Sequence, residues 1–309
     1  MLKITWTPLA ITLLCAFAHA QAPKAGATAP AAKEVKTPSA TADANATPAA
    51  AAAATSTTEV KKEEAPSVKY SLGLGTYYTL GAEAQPDGTR KEAIGYTFSP
   101  GLSYGIYRAS VFTLYEQNLK DTTKTGYWID PAFSFSRSSI ELNKYFKFGP
   151  SLSLTLPMTD SSKNNTELLY SLGATGTIYL QNKPLGIDNW NISYYLGYQR
   201  NFTKYATSNA GDPVTMQRIR QRFNVGYKFT DSLSLGTRFQ FDSKYSSEGV
   251  VRNDFLHYQT FTYAINDTVS VSLGHTNSGA LLNGTNYDNN LKFYDETASE
   301  YSAGLDISL

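Results

Sequence analysis

The stretch Ala93–Ile106, AIGYTFSPGLSYGI, places Ile94, Tyr96, Phe98, Pro100, Leu102, Tyr104 and Ile106 on one parity. The intervening residues are Gly95, Thr97, Ser99, Gly101, Ser103 and Gly105, none of them large or charged. Successive side chains of an extended chain point to opposite faces, so this is a strand with one apolar face. Strands of a soluble β-sandwich average about five or six residues and turn their apolar face inward. A run this long, with so little opposite its large residues, calls for a different solvent.

The pattern recurs. Phe148, Pro150, Leu152, Leu154, Leu156 and Met158 alternate with small residues, and Leu168, Tyr170 and Leu172 begin another run. Trp190, Ile192, Tyr194, Leu196 and Tyr198 form a third; Ile219, Phe223, Val225, Tyr227 and Phe229 a fourth. Val269, Val271 and Leu273 follow, and Tyr301, Ala303, Leu305, Ile307 and Leu309 close the chain. These runs predict about twelve strands, near 68–80, 92–105, 109–119, 126–140, 147–159, 167–181, 190–203, 217–229, 232–243, 253–265, 268–276 and 297–309. The third and tenth carry apolar residues on both parities, and Pro100, Pro131 and Pro150 fall inside predicted strands although proline cannot donate a ladder bond.

Strands of this length match a tilted crossing of a bilayer, for which about 9–11 residues suffice. Lipid is then the solvent of the Tyr96 and Leu102 face, and the Thr97 and Ser103 face looks into a polar interior. The sheet must close, because an open edge in hydrocarbon leaves N–H and C=O groups unpaired. The fold class is therefore all-β, a closed antiparallel transmembrane barrel of an even number of strands. Tight turns at 230–232 and 266–268 alternate with long polar connections at 203–216, 244–252 and 276–296, the layout of a barrel with short turns on one rim. The pattern over residues 68–309 resembles the Gram-negative outer-membrane β-barrel superfamily. The last segment, Tyr301–Leu309, looks like that group's C-terminal assembly strand, though it ends on Leu309 where Phe is common. The resemblance implies outer-membrane lipids and the insertion machinery as partners, with the linker and the C-terminus in the periplasm.

Ahead of the barrel, Lys3, the apolar run Leu9–Phe17 and Ala18-His19-Ala20 read as a cleaved signal peptide, residues 1–20. Residues 21–67, rich in Ala, Pro and Thr, have too few large apolar groups to offset ordering entropy, which predicts a disordered linker. The only cysteine, Cys15, lies in the signal, so the mature chain offers no thiolate for a metal or a nucleophile. A formal net charge of +1 gives no support for nucleic acid as a partner. No phosphate-binding glycine loop or histidine cluster appears, and no cofactor is expected.

The candidate functional residues are charges on the inward parity. Arg218, Arg220 and Arg222 alternate with Ile219, Phe223 and Val225, and Arg238 and Asp242 alternate with Phe239 and Phe241. Charges on the lipid face cost about 2–4 kcal/mol at the midplane, so these belong to the lumen. A basic stripe suits a porin-like channel passing small hydrophilic, anionic solutes. The competing reading is a braced or plugged lumen in which the stripe pairs with Asp130, Glu141, Asp242 or Asp306. A third is a lipid hydrolase: outer-membrane phospholipases A resemble this barrel in strand number and carry a His-x-Ser-Asn motif. In His275-Thr-Asn277-Ser278 the Ser is displaced by one residue, which turns it to the other face. The 276–296 connection could enter the barrel mouth as a constriction, bind at the surface, or simply join two strands.

Overall fold

The computed structural model describes residues 67–84, 90–120, 126–281 and 291–309. The signal segment and, apart from Ser67, the linker lie outside the described residues. The strands are β1 (Val68–Ala84), β2 (Arg90–Tyr104), β3 (Tyr107–Asn118), β4 (Tyr127–Trp128), β5 (Ala132–Arg137), β6 (Ile140–Glu141) and β7 (Phe146–Thr155). They continue as β8 (Leu168–Leu180), β9 (Trp190–Thr203), β10 (Thr215–Lys228), β11 (Leu233–Ser246), β12 (Val251–Ala264), β13 (Val269–Ala280) and β14 (Ser299–Ser308). Each pairs antiparallel with its neighbours, and β1 pairs with both β2 and β14, so the sheet closes. The short β4, β5 and β6 together make one stave, which gives a closed barrel of twelve staves. No helix among the described residues is long and apolar enough to cross a membrane.

The two faces of the wall follow the alternation. On β13, Val271 and Leu273 are 37% and 66% exposed, whereas Ser270 and Ser272 between them are 5% and 7%. Large apolar groups stand outside and small polar ones inside, the reverse of a soluble protein. Aromatic pairs gather toward both rims: Tyr107–Phe135 at 5.6 Å and Trp190–Tyr227 at 5.0 Å at the turn end, Tyr170–Phe202 at 4.6 Å and Tyr115–Trp128 at 5.3 Å at the other. Rings with an apolar body and a polar tip suit the two membrane interfaces.

The prolines are accommodated in three ways. Pro100 interrupts the β2–β3 ladder between Phe98↔Thr113 and Gly101↔Ser110, which resumes in the same register. Pro131 lies between β4 and β5, not within a strand, and its carbonyl accepts the Leu156 N–H at 3.1 Å. Pro150 falls where Ser136↔Ser151 gives way to Ile140↔Phe148, so residues 137–139 lie opposite 149–150 and form a bulge. The fourth predicted strand, 126–140, is broken by these features.

The connection expected as a long loop at 244–252 is a tight hairpin, because β11 reaches Ser246 and β12 begins at Val251. Gly249, at φ +79°, takes the left-handed turn position, and Ser246 N–H donates to Val250 O at 2.9 Å. In the opposite direction, the β8–β9 connection at the turn rim carries a short 3-10 helix, Lys183–Leu185. The connections at the rim opposite the short turns lean on one another: Asn209 N–H donates to Asn165 O at 2.9 Å, and Ser247 N–H, from the tight hairpin, to Val214 O at 3.1 Å.

Candidate functional site

The inner faces of β10 and β11 hold the densest charge in the barrel. Arg218, Arg220, Arg222 and Lys228 come from β10, and Arg238, Asp242 and Lys244 from β11: six cations and one carboxylate. Register sets their pairing, because Arg220 lies opposite Asp242 and Arg222 opposite Gln240. Arg220 donates to Asp242 through Nε at 2.8 Å and an Nη at 3.0 Å, a bidentate fork, and the Nε of Arg218 stands 3.8 Å from the same carboxylate. Arg222 donates to Gln240 Oε1 at 2.6 Å and lies over the Tyr195 ring, 5.0 Å from its centre. Arg238 donates to Asn224 Oδ1 at 2.9 Å. Arg220 and Arg222 are each 3% exposed. Asp242 therefore takes the fork of Arg220 and stands near Arg218, while Gln240 and Tyr195 hold Arg222 and Asn224 holds Arg238.

The remaining acidic candidates sit elsewhere. Asp130 accepts the backbone N–H groups of Met158 at 2.7 Å and Thr159 at 2.9 Å and the Ser162 hydroxyl, so it anchors the β7–β8 connection. Glu141 lies at the turn rim, 3.5 Å from Lys147. Asp306 stands on the inner parity of β14, opposite Gly75. Lys244 is instead met by Asp254 at 2.6 Å, a carboxylate that also accepts Arg252 at 2.8 Å.

A second inner site was not visible in the alternation. Tyr77, Phe112 and Leu114 form a buried cluster with Ile129 packed against it, and Leu114 has no exposed surface. Above it, Tyr77 and Tyr127 both donate to Glu116, at 2.9 and 2.7 Å. The Tyr77 ring lies across Gly95, where any Cβ would collide with it. Because β3 carries apolar residues on both parities, its alternation does not distinguish the set that turns inward. The signal that could have settled it is Glu116, which shares the parity of Phe112 and Leu114.

The described residues contain no group of three or more metal-ligating side chains. By sequence, no family model and no curated protein matches the chain. Among solved structures, an outer membrane channel from Pseudomonas putida F1 superimposes with a TM-score of 0.50 at 10% identity, over 81% of this chain and all of that one (100%). The fold is that of the outer-membrane β-barrels. The NanC porin is also similar, at TM-score 0.47 and 13% identity over 77% of this chain and 100% of that one. So is the KdgM porin in complex with disordered oligogalacturonate, at 0.45 and 11%, over 77% of this chain and 99% of that one.

In this barrel the histidines stand on the outside of the wall. His257 and His275 share the parity of Phe261 and Leu273, and Ser278 points the other way. The last connection does not enter the barrel at residues 291–298; it lies back over this patch. Asn277, fully buried, donates to Lys292 O at 2.7 Å, and the Phe293 ring packs edge-on against His257 with centroids 5.1 Å apart. Asp295 caps the turn by accepting Thr297 N–H at 2.9 Å and pairing with Lys292 at 2.6 Å, contacts that hold its carboxyl well below the usual range. The Ser299 hydroxyl lies 3.2 Å from His275 Nε2 and accepts the Asp295 N–H at 3.0 Å. At 2% exposure, Ser299 is enclosed by the segment it fastens.

Proposed function

We propose that this barrel is a narrow diffusion channel for small hydrophilic solutes with a preference for anions, its turn rim facing the periplasm. The observation that carries the reading is the six-to-one excess of cations on the inner faces of β10 and β11. In a narrow, low-dielectric lumen such an excess raises the local concentration of anions and repels cations. Arg218, Arg220, Arg222 and Arg238 are the lining residues, and Asp242 tempers the potential at the first two. No covalent step is required. The test is single-channel recording of the purified protein in planar bilayers under a salt gradient. Stepwise conductance with a reversal potential on the anion side is expected, and replacing Arg218, Arg222 and Arg238 by Gln should move that potential toward zero. Absence of conductance steps overturns the channel reading.

One observation favours a second reading, a plugged structural barrel: Leu114 and Phe112 are buried inside the wall, where a wide aqueous pore would leave them wet. In that case Leu114→Ala would produce conductance that the native protein lacks.

A further inference from the structure

The outside of the wall is not uniform. On β2, β3, β5, β7 and β8 the outward residues at mid-strand are Phe98, Val111, Phe133, Leu152 and Leu172. Across β10 to β13 the corresponding surface carries Gln221, Thr237, Gln259 and His275. Polar side chains turned toward hydrocarbon are unfavourable unless something satisfies them. Most of these are satisfied within the chain. Gln221 accepts the Tyr194 hydroxyl at 2.9 Å, Thr237 lies 3.3 Å from His257 Nε2, and His275 meets Ser299 under the 291–298 strap. Gln259 is the exception. It sits between Thr237 and His275 in register, is exposed on the outer face, and its side chain makes no hydrogen bond with any described residue.

We propose that the outer face centred on Gln259 is the contact surface for a second copy of this chain, related by a two-fold axis along the membrane normal. Such an axis keeps every residue at its own depth, so Gln259 meets Gln259 of the second copy. A carboxamide has both donors and an acceptor, so two copies satisfy one another across the axis. A fatty acyl chain offers neither. Around the amide, Phe261 and Leu273 are 52% and 66% exposed and supply the apolar surround in which such a hydrogen bond excludes competitors. The strap covers the neighbouring polar groups and leaves this one uncovered, which is the arrangement expected if a subunit, not a loop, completes the wall. The inference is independent of whether the lumen conducts.

Cys15 is the only cysteine, so Gln259→Cys in a Cys15→Ser background carries one reactive thiol on the barrel. Reconstituted in phospholipid bilayers and mildly oxidised, it should run as a covalent dimer, while Leu152→Cys on the opposite outer wall should stay monomeric. Gln259→Leu, with barrel folding verified by heat-modifiable gel mobility, should weaken self-association at least tenfold in sedimentation measurements. Equal crosslinking at both positions, or a native protein that sediments as one chain at every concentration, overturns the proposal. Labelling of the Gln259→Cys thiol by a lipid-soluble reagent with no dimer formed also overturns it and assigns the face to lipid.

Discussion

Two sides of the inner wall, six positions apart around the ring, are held by different physics. On β10 and β11 the contacts are a bidentate ion pair, charge-assisted hydrogen bonds and a guanidinium over a ring. On β2 and β3, with β1 and β4 beside them, Phe112, Leu114 and Tyr77 exclude water by packing. The first side holds its charges in paired, nearly dry positions, with Arg220 and Arg222 each 3% exposed. The second gains its stability by filling space, and the charge beside the cluster, Glu116, is tied down by two tyrosine hydroxyls.

The largest effect should come from removing the carboxylate on the charged side. Asp242→Ala leaves Arg220 without its ion-pair partner in a nearly dry site, and breaking such a pair costs about 3–5 kcal/mol. The urea midpoint of unfolding should fall accordingly. If the lumen conducts, anion selectivity should rise in the same variant, an outcome that packing alone does not produce. Leu114→Ala on the packed side should cost about 2–5 kcal/mol by leaving a cavity, with selectivity unchanged. A shift in selectivity there would break the division between the two sides.

Tyr77→Phe is a finer probe. It deletes one of two hydroxyls on Glu116 while keeping the ring, and a hydrogen bond to a charged group contributes about 1.5–3 kcal/mol. Chemical denaturation should show a loss below that of Leu114→Ala. The smallest effect is expected outside the wall on the charged half, at the Asp295 cap. Its carboxyl is held below the ordinary range, first by Lys292 and then by Thr297. The stabilisation is thus present above the usual carboxylate value near pH 4 and is lost as pH falls through the lower folded value. Hydrogen exchange of the 295–299 amides should accelerate on acidification below about pH 4 while the β2–β3 amides stay protected.

Much of this was legible in the chain. Ile94 to Ile106 alternate without a break, and that periodicity alone places lipid outside and small polar groups inside. Arg218, Arg220 and Arg222 sit two residues apart, so their common face needs no coordinates. The Tyr77–Glu116 contact was not legible, because it joins residues 39 apart on strands whose register no local rule fixes. Pro150 was read as a weakness because its bulge partner, residues 137–139, becomes a partner only when β5 and β7 pair. His275 and Asn277 obey the outward parity, yet what they do depends on a strap that returns from beyond residue 290.

The period of two, the length of the strands and the number of staves follow from the order of residues alone, because side-chain direction along an extended chain is a local property and the bilayer sets the span. Which carboxylate meets which arginine, that residues 291–298 cover the outer wall, and that Gln259 is left uncovered were settled only once the barrel had closed. Those outcomes depend on strand register and on contacts between distant segments, and neither is encoded within a single strand.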